Sequence, residues 1–311
     1  MHLFRAVSLL VPALLLTHTH AQNYPVKAVR VITSEAGGGG DFTCRVLSQE
    51  LSGMWGQQLL VDNRGIVGAE TVARSAPDGH TLLLYGGNVW ISPLMRQVSW
   101  DPVNDFAPIM LPVSAPHVIS VHPSLPVRSV RDLIALAKAR PGQLNYAANT
   151  AGSSTHLTGE LFKSIAGINM SVVHYRAIVQ GLNDLVGGQL QVIVSAPGTV
   201  MTFAKAGRVR ALAVTSEKPS ALVPGLPPAG LPGFESGTTY GLFAPAKTPP
   251  AIVARIHQDV LKVITRPEIA EKLLNGGVEV VGSSPEQLAA KIKYEMTRLG
   301  KVIRDNGIRA E

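Results

Sequence analysis

Cysteine, aromatic residues and clustered charge are scarce in this chain. Cys44 is the single cysteine among 311 residues, so no internal disulfide can form. Aromatic residues make up 5% of the chain and the Lys and Arg residues are scattered, which argues against a nucleic-acid-binding surface. The nine histidines show no His-x₃-His spacing and a Cys-x₂-Cys pair is impossible, so neither a metal nor another cofactor is expected.

The first 21 residues have the three-part pattern of a secretory signal peptide. Arg5 gives a positive start, an apolar run occupies 6–16, and Ala21 offers a small residue at the cleavage point. The run is too short to span a bilayer, and no later segment has 18 consecutive apolar residues. We therefore expect a periplasmic protein comprising residues 22–311. Its net charge falls from +7 to +6, which favours small anionic partners.

The rest of the chain alternates strand-like and helical runs, which is typical of α/β proteins. Most of the strand-like runs are apolar on both faces, as in a parallel sheet covered by helices. Capping patterns at Ser129 and Ser284 predict two helix starts. A Pro/Gly-rich connection at 219–232 precedes a short strand beginning at Tyr240 and two helices. The eight strand-like runs are 29–32, 58–61, 81–85, 117–121, 144–147, 171–175, 190–194 and 210–215.

A glycine-rich segment at 36–41 follows the first predicted strand and opens a helix. Exposed backbone N–H groups and the positive end of a helix dipole at such a place suit a carboxylate or phosphate. No Gly-Lys-Ser/Thr follows, so the segment is not a P-loop. It also does not match the dinucleotide-binding fingerprint, because Phe42 stands at the place of the third glycine. The alternative is a plain tight turn.

A second segment, 149–156, has the same properties and opens another helix. Its hydroxyl groups can cap that helix or donate to a ligand oxygen, and both interpretations stay open. Ser153 or Ser154 with His156 also suggests a hydrolase, but the Gly-x-Ser-x-Gly elbow is absent. Two such helix starts, one from each half of the chain, predict a clamp for an anion.

An ordered set of short motifs is similar to the Bug family, the TctC-like receptors of tripartite tricarboxylate transporters. The resemblance extends from residue 24 to residue 307. The motifs are YPVK at 24–27, GGGGD at 37–41, DNRG at 62–65, APDGHTLL at 76–83, DPVNDFAP at 101–108, LNYA at 144–147, GSSTHL at 152–157, GGQ at 187–189, RALAVT at 210–215 and GLFAP at 241–245.

This resemblance implies a type II-like periplasmic binding protein, an α/β fold with a ligand cleft between two lobes. Lobe 1 would comprise 22–119 and 243–311, lobe 2 would comprise 120–242, and the chain would cross between them near 118–122 and 238–243. The expected partners are a small organic acid or amino-acid-like ligand and a tripartite permease or a sensor. We expect a monomer that is not an enzyme and needs no cofactor.

The resemblance also implies a set of ligand-binding residues at the strand ends. Glycines would donate backbone N–H groups, serines would donate O–H groups, and the aspartate would cap the first helix or position a water. The set is Glu35, Gly38, Gly39, Gly40, Asp41, Gly86, Asn88, Asn149, Gly152, Ser153, Ser154, Tyr175 and Ser195.

Two departures from the family pattern bear on ligand choice. Relatives carry Pro-aromatic-small before the glycines, where this chain has Thr33, Ser34 and Glu35. If Glu35 faces the pocket it would repel a carboxylate and favour an amine or amide; otherwise it points to solvent. The loop at 64–68 is about four residues shorter than in relatives. This difference bears on the ligand, because loops set ligand choice on a shared scaffold. A scaffold that has lost ligand binding is therefore a third hypothesis.

Overall fold

The computed structural model describes residues 24–310, so the predicted signal peptide lies outside the described residues. Eleven strands within that range form two sheets. They are β1 (Val29–Thr33), β2 (Leu59–Asn63), β3 (Thr81–Gly86), β4 (Phe106–Pro116), β5 (Val118–Val121), β6 (Asn145–Ala148), β7 (Ser171–His174), β8 (Val192–Ser195), β9 (Arg210–Val214), β10 (Gly237–Pro245) and β11 (Glu279–Val280).

Ten α-helices in the described range cover the sheets, and two short 3₁₀ turns occupy Gly65–Val67 and Ser92–Leu94. The helices are α1 (Gly39–Trp55), α2 (Gly68–Ala73), α3 (Asn88–Ile91), α4 (Val130–Ala139), α5 (Ser154–Ala166), α6 (Ile178–Val186), α7 (Pro197–Lys205), α8 (Pro250–Ile264), α9 (Pro267–Asn275) and α10 (Pro285–Asp305).

The first sheet has the order β11-β4-β10-β3-β1-β2 and the second has the order β7-β6-β8-β5-β9. Both sheets are mixed. β1 is parallel to β2 and β3, but β10 is antiparallel to β3 and β4, and β5 is antiparallel to β8 and β9. The expectation of parallel sheets was therefore wrong for these strands. Burial on both faces gives the same apolar pattern whichever way a strand runs, so the pattern alone could not reveal the direction.

All eight predicted strand runs are confirmed, with ends that agree within two residues. The sequence did not predict β4 and β11. β4 contains Pro108 and Pro112, which normally argue against a strand, and its pairing with β10 shifts register opposite Leu242. A bulged pairing of this kind tolerates proline because the hydrogen-bond ladder is already interrupted there.

The two predicted helix starts are also confirmed. Ser129 precedes α4 and its hydroxyl accepts the Asp132 N–H at 3.1 Å. Ser284 precedes α10 and forms a reciprocal capping box with Gln287. Each such cap contributes about 1 kcal/mol to helix stability.

Alternation along the strands places side chains in separate cores on the two faces of the first sheet. In β1, Val31 packs with the α1 and α8 side, while Ile32 packs with the α10 side. Cys44 in α1 is 1% exposed, and burial raises its pKa to about 12. None of the helices in residues 24–310 is both long and apolar enough to cross a membrane.

The chain changes sheet twice at neighbouring places. β4 ends at Pro116 in the first sheet, His117 follows, and β5 begins at Val118 in the second. The chain returns to the first sheet with β10. The lobe boundaries at 119/120 and 242/243 remain predictions.

Candidate functional site

The glycine-rich loop before α1 is held in place by Asp41. Its buried carboxylate accepts hydrogen bonds from the Gly37 N–H (3.0 Å), the Arg45 guanidinium (3.1 Å) and the Asn63 side-chain amide (2.9 Å). Burial raises the pKa of Asp41, but these hydrogen bonds outweigh it and lower the pKa to about 2. Asp41 therefore fixes the loop, and Gly38 takes the helix N-cap position without a side-chain hydrogen bond.

Tyr240 in β10 packs directly against this glycine loop. A Cβ added at Gly39 would lie 2.7 Å from the Tyr240 hydroxyl oxygen, and one added at Gly40 would lie 3.1 Å from its ring and 2.9 Å from the Ser34 hydroxyl. Burial raises the pKa of Tyr240, while the backbone amide of Gly40 acts in the opposite direction. Both positions thus need glycine for this close approach to Tyr240. The sequence alone did not single out Tyr240.

The turn after β3 lies along the same part of β10. Gly86 pairs with Tyr240, and a Cβ on Gly87 would lie 3.6 Å from the Thr239 hydroxyl. Asn88 is exposed and begins the short helix α3. The second predicted loop of lobe 1 thus adjoins the first through β10.

The segment 149–154 approaches β10 from the second sheet. Ser153 is the N-cap of α5, and its hydroxyl accepts the His156 N–H at 3.3 Å. The hydroxyl of Ser154 lies 3.4 Å from that of Thr238. The N–H of Gly152 donates to Nδ1 of His156 at 3.0 Å, so this amide is already occupied. The Ser154 hydroxyl is therefore the group of this segment that reaches β10.

A buried polar cluster under α5 orients this segment. The Glu160 carboxylate is 3% exposed and accepts hydrogen bonds from Tyr146 (2.7 Å) and Lys163 (2.7 Å). Burial lowers the pKa of His156 to about 4, and the neighbouring His174 makes a smaller contribution in the same direction. His156 is therefore neutral at pH 7, and its Nδ1 can accept from the loop backbone.

Three consecutive residues, Thr238, Thr239 and Tyr240, thus join the predicted loops, and we call them the β10 seam. The N-terminus of α1 packs against Tyr240 at one end of the seam, and the N-terminus of α5 reaches Thr238 at the other end. The first-turn N–H groups of a helix have no intrahelical partner, and the helix dipole places partial positive charge there. The seam is therefore a favourable environment for a small anion.

Glu35 lies at the edge of the same site. The residue is exposed, and its Oε1 would be 2.5 Å from a Cβ added at Gly65, whose φ is +60°. Burial raises the pKa of Tyr85, and the Glu35 carboxylate raises it further, while Arg96 acts in the opposite direction. Glu35 is thus turned towards the ends of β2 and β3 as well as being exposed to solvent.

Tyr175 follows β7, and Ser195 is the last residue of β8. Both residues lie at the same edge of the second sheet as Asn149. The Tyr175 hydroxyl donates to Asp184 at 2.7 Å. Ser195 is fully buried, and its hydroxyl reaches only the Ala196 carbonyl, at 3.5 Å. The buried Oδ1 of Asn149 has no hydrogen-bond partner in the part of the chain that the structure describes. No hydrogen bond among those residues links these three side chains to the β10 seam.

A cavity beside the seam has a volume of about 390 Å³ and lies between β4, β10, β11 and α10. Its wall includes Thr238 and Thr239 but none of the predicted ligand residues. Lys291 in its wall bridges Glu235 (3.5 Å) and Glu295 (3.2 Å), while Glu279 accepts hydrogen bonds from the Ser220 hydroxyl and the Ala221 amide. Its walls carry more carboxylates than cations, so an anion is favoured at the helix N-termini rather than in this cavity.

The geometry required for serine hydrolysis is not formed in this segment. The ring of His156 contacts the Gly152 amide and faces Glu160 at 3.9 Å, and not the hydroxyls of Ser153 or Ser154. Within residues 24–310, no group of three or more His, Cys, Asp or Glu side chains is arranged to hold a metal ion.

Several known proteins are similar to this chain in sequence and in fold. The protein BugT of Bordetella pertussis is 30% identical over 298 residues, which cover 92% of this chain and 91% of BugT. A structure described as R. palustris Rpa4515 with adipate is 32% identical, with a TM-score of 0.73 and coverage of 92% of this chain and 99% of that one. MatC from Rhodopseudomonas palustris with bound malate is 26% identical, with a TM-score of 0.70 and coverage of 90% and 100%.

The tripartite tricarboxylate transporter family receptor profile, TctC, matches residues 43–308. The match covers most of the described chain, including the second sheet, the N-terminus of α5 and every strand of the first sheet except β1; the glycine-rich loop before α1 precedes it. Members of this family are periplasmic binding receptors with two lobes. The chain belongs to the TctC family of tripartite tricarboxylate transporter receptors.

Proposed function

We propose that this protein is an exported receptor that binds a small organic acid between its two lobes, at the β10 seam. The observation that carries the proposal is the approach of two helix N-termini, those of α1 and α5, to the two ends of the seam. We assign the lobes to the two sheets, with the crossings next to His117 and Gly237 acting as the hinge.

The donors for a carboxylate come from both lobes. The amides of Gly38 and Gly39 open α1, and the amide and hydroxyl of Ser154 open α5. Each helix N-terminus favours an anion by about 0.3–1 kcal/mol, and by up to about 2 kcal/mol when it is partly buried. A ligand that contacts both ends favours the closed arrangement, because only that arrangement offers both sets of donors.

The solved relatives support a carboxylate ligand. One structure contains adipate and another contains malate, which are both small dicarboxylates. We propose binding without turnover, because the serines of the α5 N-terminus contact no histidine ring. A tripartite permease or a membrane sensor would then recognise the closed receptor.

The experiment is a thermal-shift titration of residues 22–311 with small mono- and dicarboxylates and amino acids. A true ligand raises the melting temperature with concentration, because it binds the folded state alone. Ser154→Ala should weaken binding about tenfold or more, since a hydrogen bond to a charged group is lost. Ser164→Ala is the matched control, because Ser164 is exposed on the same helix. Binding that is unchanged in Ser154→Ala would contradict the proposal.

A further inference from the structure

The Glu35 carboxylate is the negatively charged group placed nearest to the glycine loop without a cation paired to it. Glu35 stands three residues before Gly38, and its Oε1 lies over the backbone of Gly65. A Cβ at Gly65 would lie 2.5 Å from that oxygen, so the absence of a side chain at this position leaves room for the carboxylate. The carboxylate is therefore held at the rim of the site rather than shielded from it.

Three arginines near this loop are paired with other carboxylates. Arg45 pairs with Asp41 at 3.0 Å, and Arg30 and Arg64 pair with Asp62 at 3.8 Å and 2.8 Å. In the part of the chain that the structure describes, no hydrogen bond or ion pair to Glu35 is formed. The exposed Glu35 carboxylate thus acts on groups at the ends of β2 and β3, as its effect on the pKa of Tyr85 shows, where Arg96 acts with the opposite sign.

Two opposite electrostatic demands meet at this site. The helix N-termini of α1 and α5 favour a carboxylate, whereas a second carboxylate close to Glu35 would meet like charge. A ligand with one carboxylate and one ammonium group satisfies both demands. Repulsion of the wrong ligand is an established way to obtain specificity.

We propose that Glu35 selects small amino acids over the corresponding dicarboxylates, by pairing with the ligand's ammonium group. This inference rests on the proposed function, because it places the ligand carboxylate at the β10 seam. It assigns Glu35 as the residue that determines specificity.

The test uses matched ligand pairs that differ only in the ammonium group: aspartate with succinate, and glutamate with glutarate. Dissociation constants are measured by calorimetry for residues 22–311, for Glu35→Gln, and for Glu271→Gln as a control with the same charge change on exposed α9. We expect the wild-type protein to bind the amino acid of at least one pair about tenfold or more tightly than its partner. Glu35→Gln should remove that preference, and Glu271→Gln should keep it.

Each other outcome is decisive. Tight binding of succinate or glutarate, at or above the affinity for the amino acids, overturns the selection by Glu35 and leaves the receptor function intact. A preference that persists in Glu35→Gln also overturns it. If no member of the pairs binds while another carboxylate does, the selected class is wrong; if no acid binds at all, the proposed function itself fails.

Discussion

The buried His117 should make the protein acid-labile between pH 6.5 and pH 4. The residue lies between β4 and β5 and is 2% exposed. Its Nδ1 contacts the Thr158 hydroxyl at 2.9 Å, and its Nε2 lies 3.5 Å from the hydroxyl of Thr238. Burial lowers the pKa of His117 from 6.5 to about 4, because no carboxylate is hydrogen-bonded to the ring to compensate a positive charge.

The sign and size of the effect follow from proton linkage. The unfolded chain takes up a proton on this ring below pH 6.5, whereas the folded protein resists protonation until about pH 4. The stability contribution is therefore complete above pH 6.5 and is lost as the pH falls through that interval. The difference corresponds to about 3 kcal/mol at most, or roughly 6 °C in melting temperature for a chain of this size.

The assay is urea unfolding at pH 7.0 and pH 4.5 for the wild-type protein and for His117→Gln, which cannot be protonated. The free energy of unfolding should be lower at pH 4.5 than at pH 7.0 in both proteins. This decrease should be about 2–3 kcal/mol smaller in the variant than in the wild type. His122→Gln is the control, because its ring pairs with Ser124 at the surface. An unchanged pH dependence in His117→Gln would show that protonation of His117 does not cause the loss of stability.

Three further predictions concern the first lobe. Asp41→Asn should lower the free energy of unfolding at pH 7 by about 1–2 kcal/mol, because the carboxylate that holds the glycine loop is lost; Asp305→Asn, at an exposed pair, should change it little. The Asp41 pKa of about 2 also predicts that this difference disappears as the pH falls from about 4 towards 2. Gly39→Ala should weaken ligand binding in calorimetry, because the added Cβ would contact Tyr240 of the β10 seam. Gly53→Ala in the same helix should leave binding unchanged, because its Cβ would lie in open space. Cys44 should resist alkylation in the folded protein and react on unfolding, because burial raises its pKa to about 12.

The local structure was largely predictable from the sequence, because short-range signals determine it. Ser129 and Ser284 mark helix starts through their hydroxyls, and apolar runs mark the buried strands. Strand direction was not predictable, because an apolar run looks the same in either orientation. β4 was missed because Pro108 and Pro112 normally exclude a strand, and only the bulged pairing with β10 permits them.

The candidate site was predictable in its loops but not in the strand that joins them. The glycine and serine segments have recognisable composition, since helix N-termini need small and hydroxyl-bearing residues. Tyr240 and Thr238 carry no such signal, because their role depends on the return of the chain from the second sheet. The use of the Gly152 amide by His156 likewise depends on the rigid cluster around Glu160.

A crystal structure of residues 22–311 with the tightest ligand from the titration would locate the binding site. We expect a carboxylate at the β10 seam, within hydrogen-bond distance of the Gly38 or Gly39 amides and of the Ser154 hydroxyl. A ligand in the cavity next to Lys291, with the seam empty, would contradict this expectation.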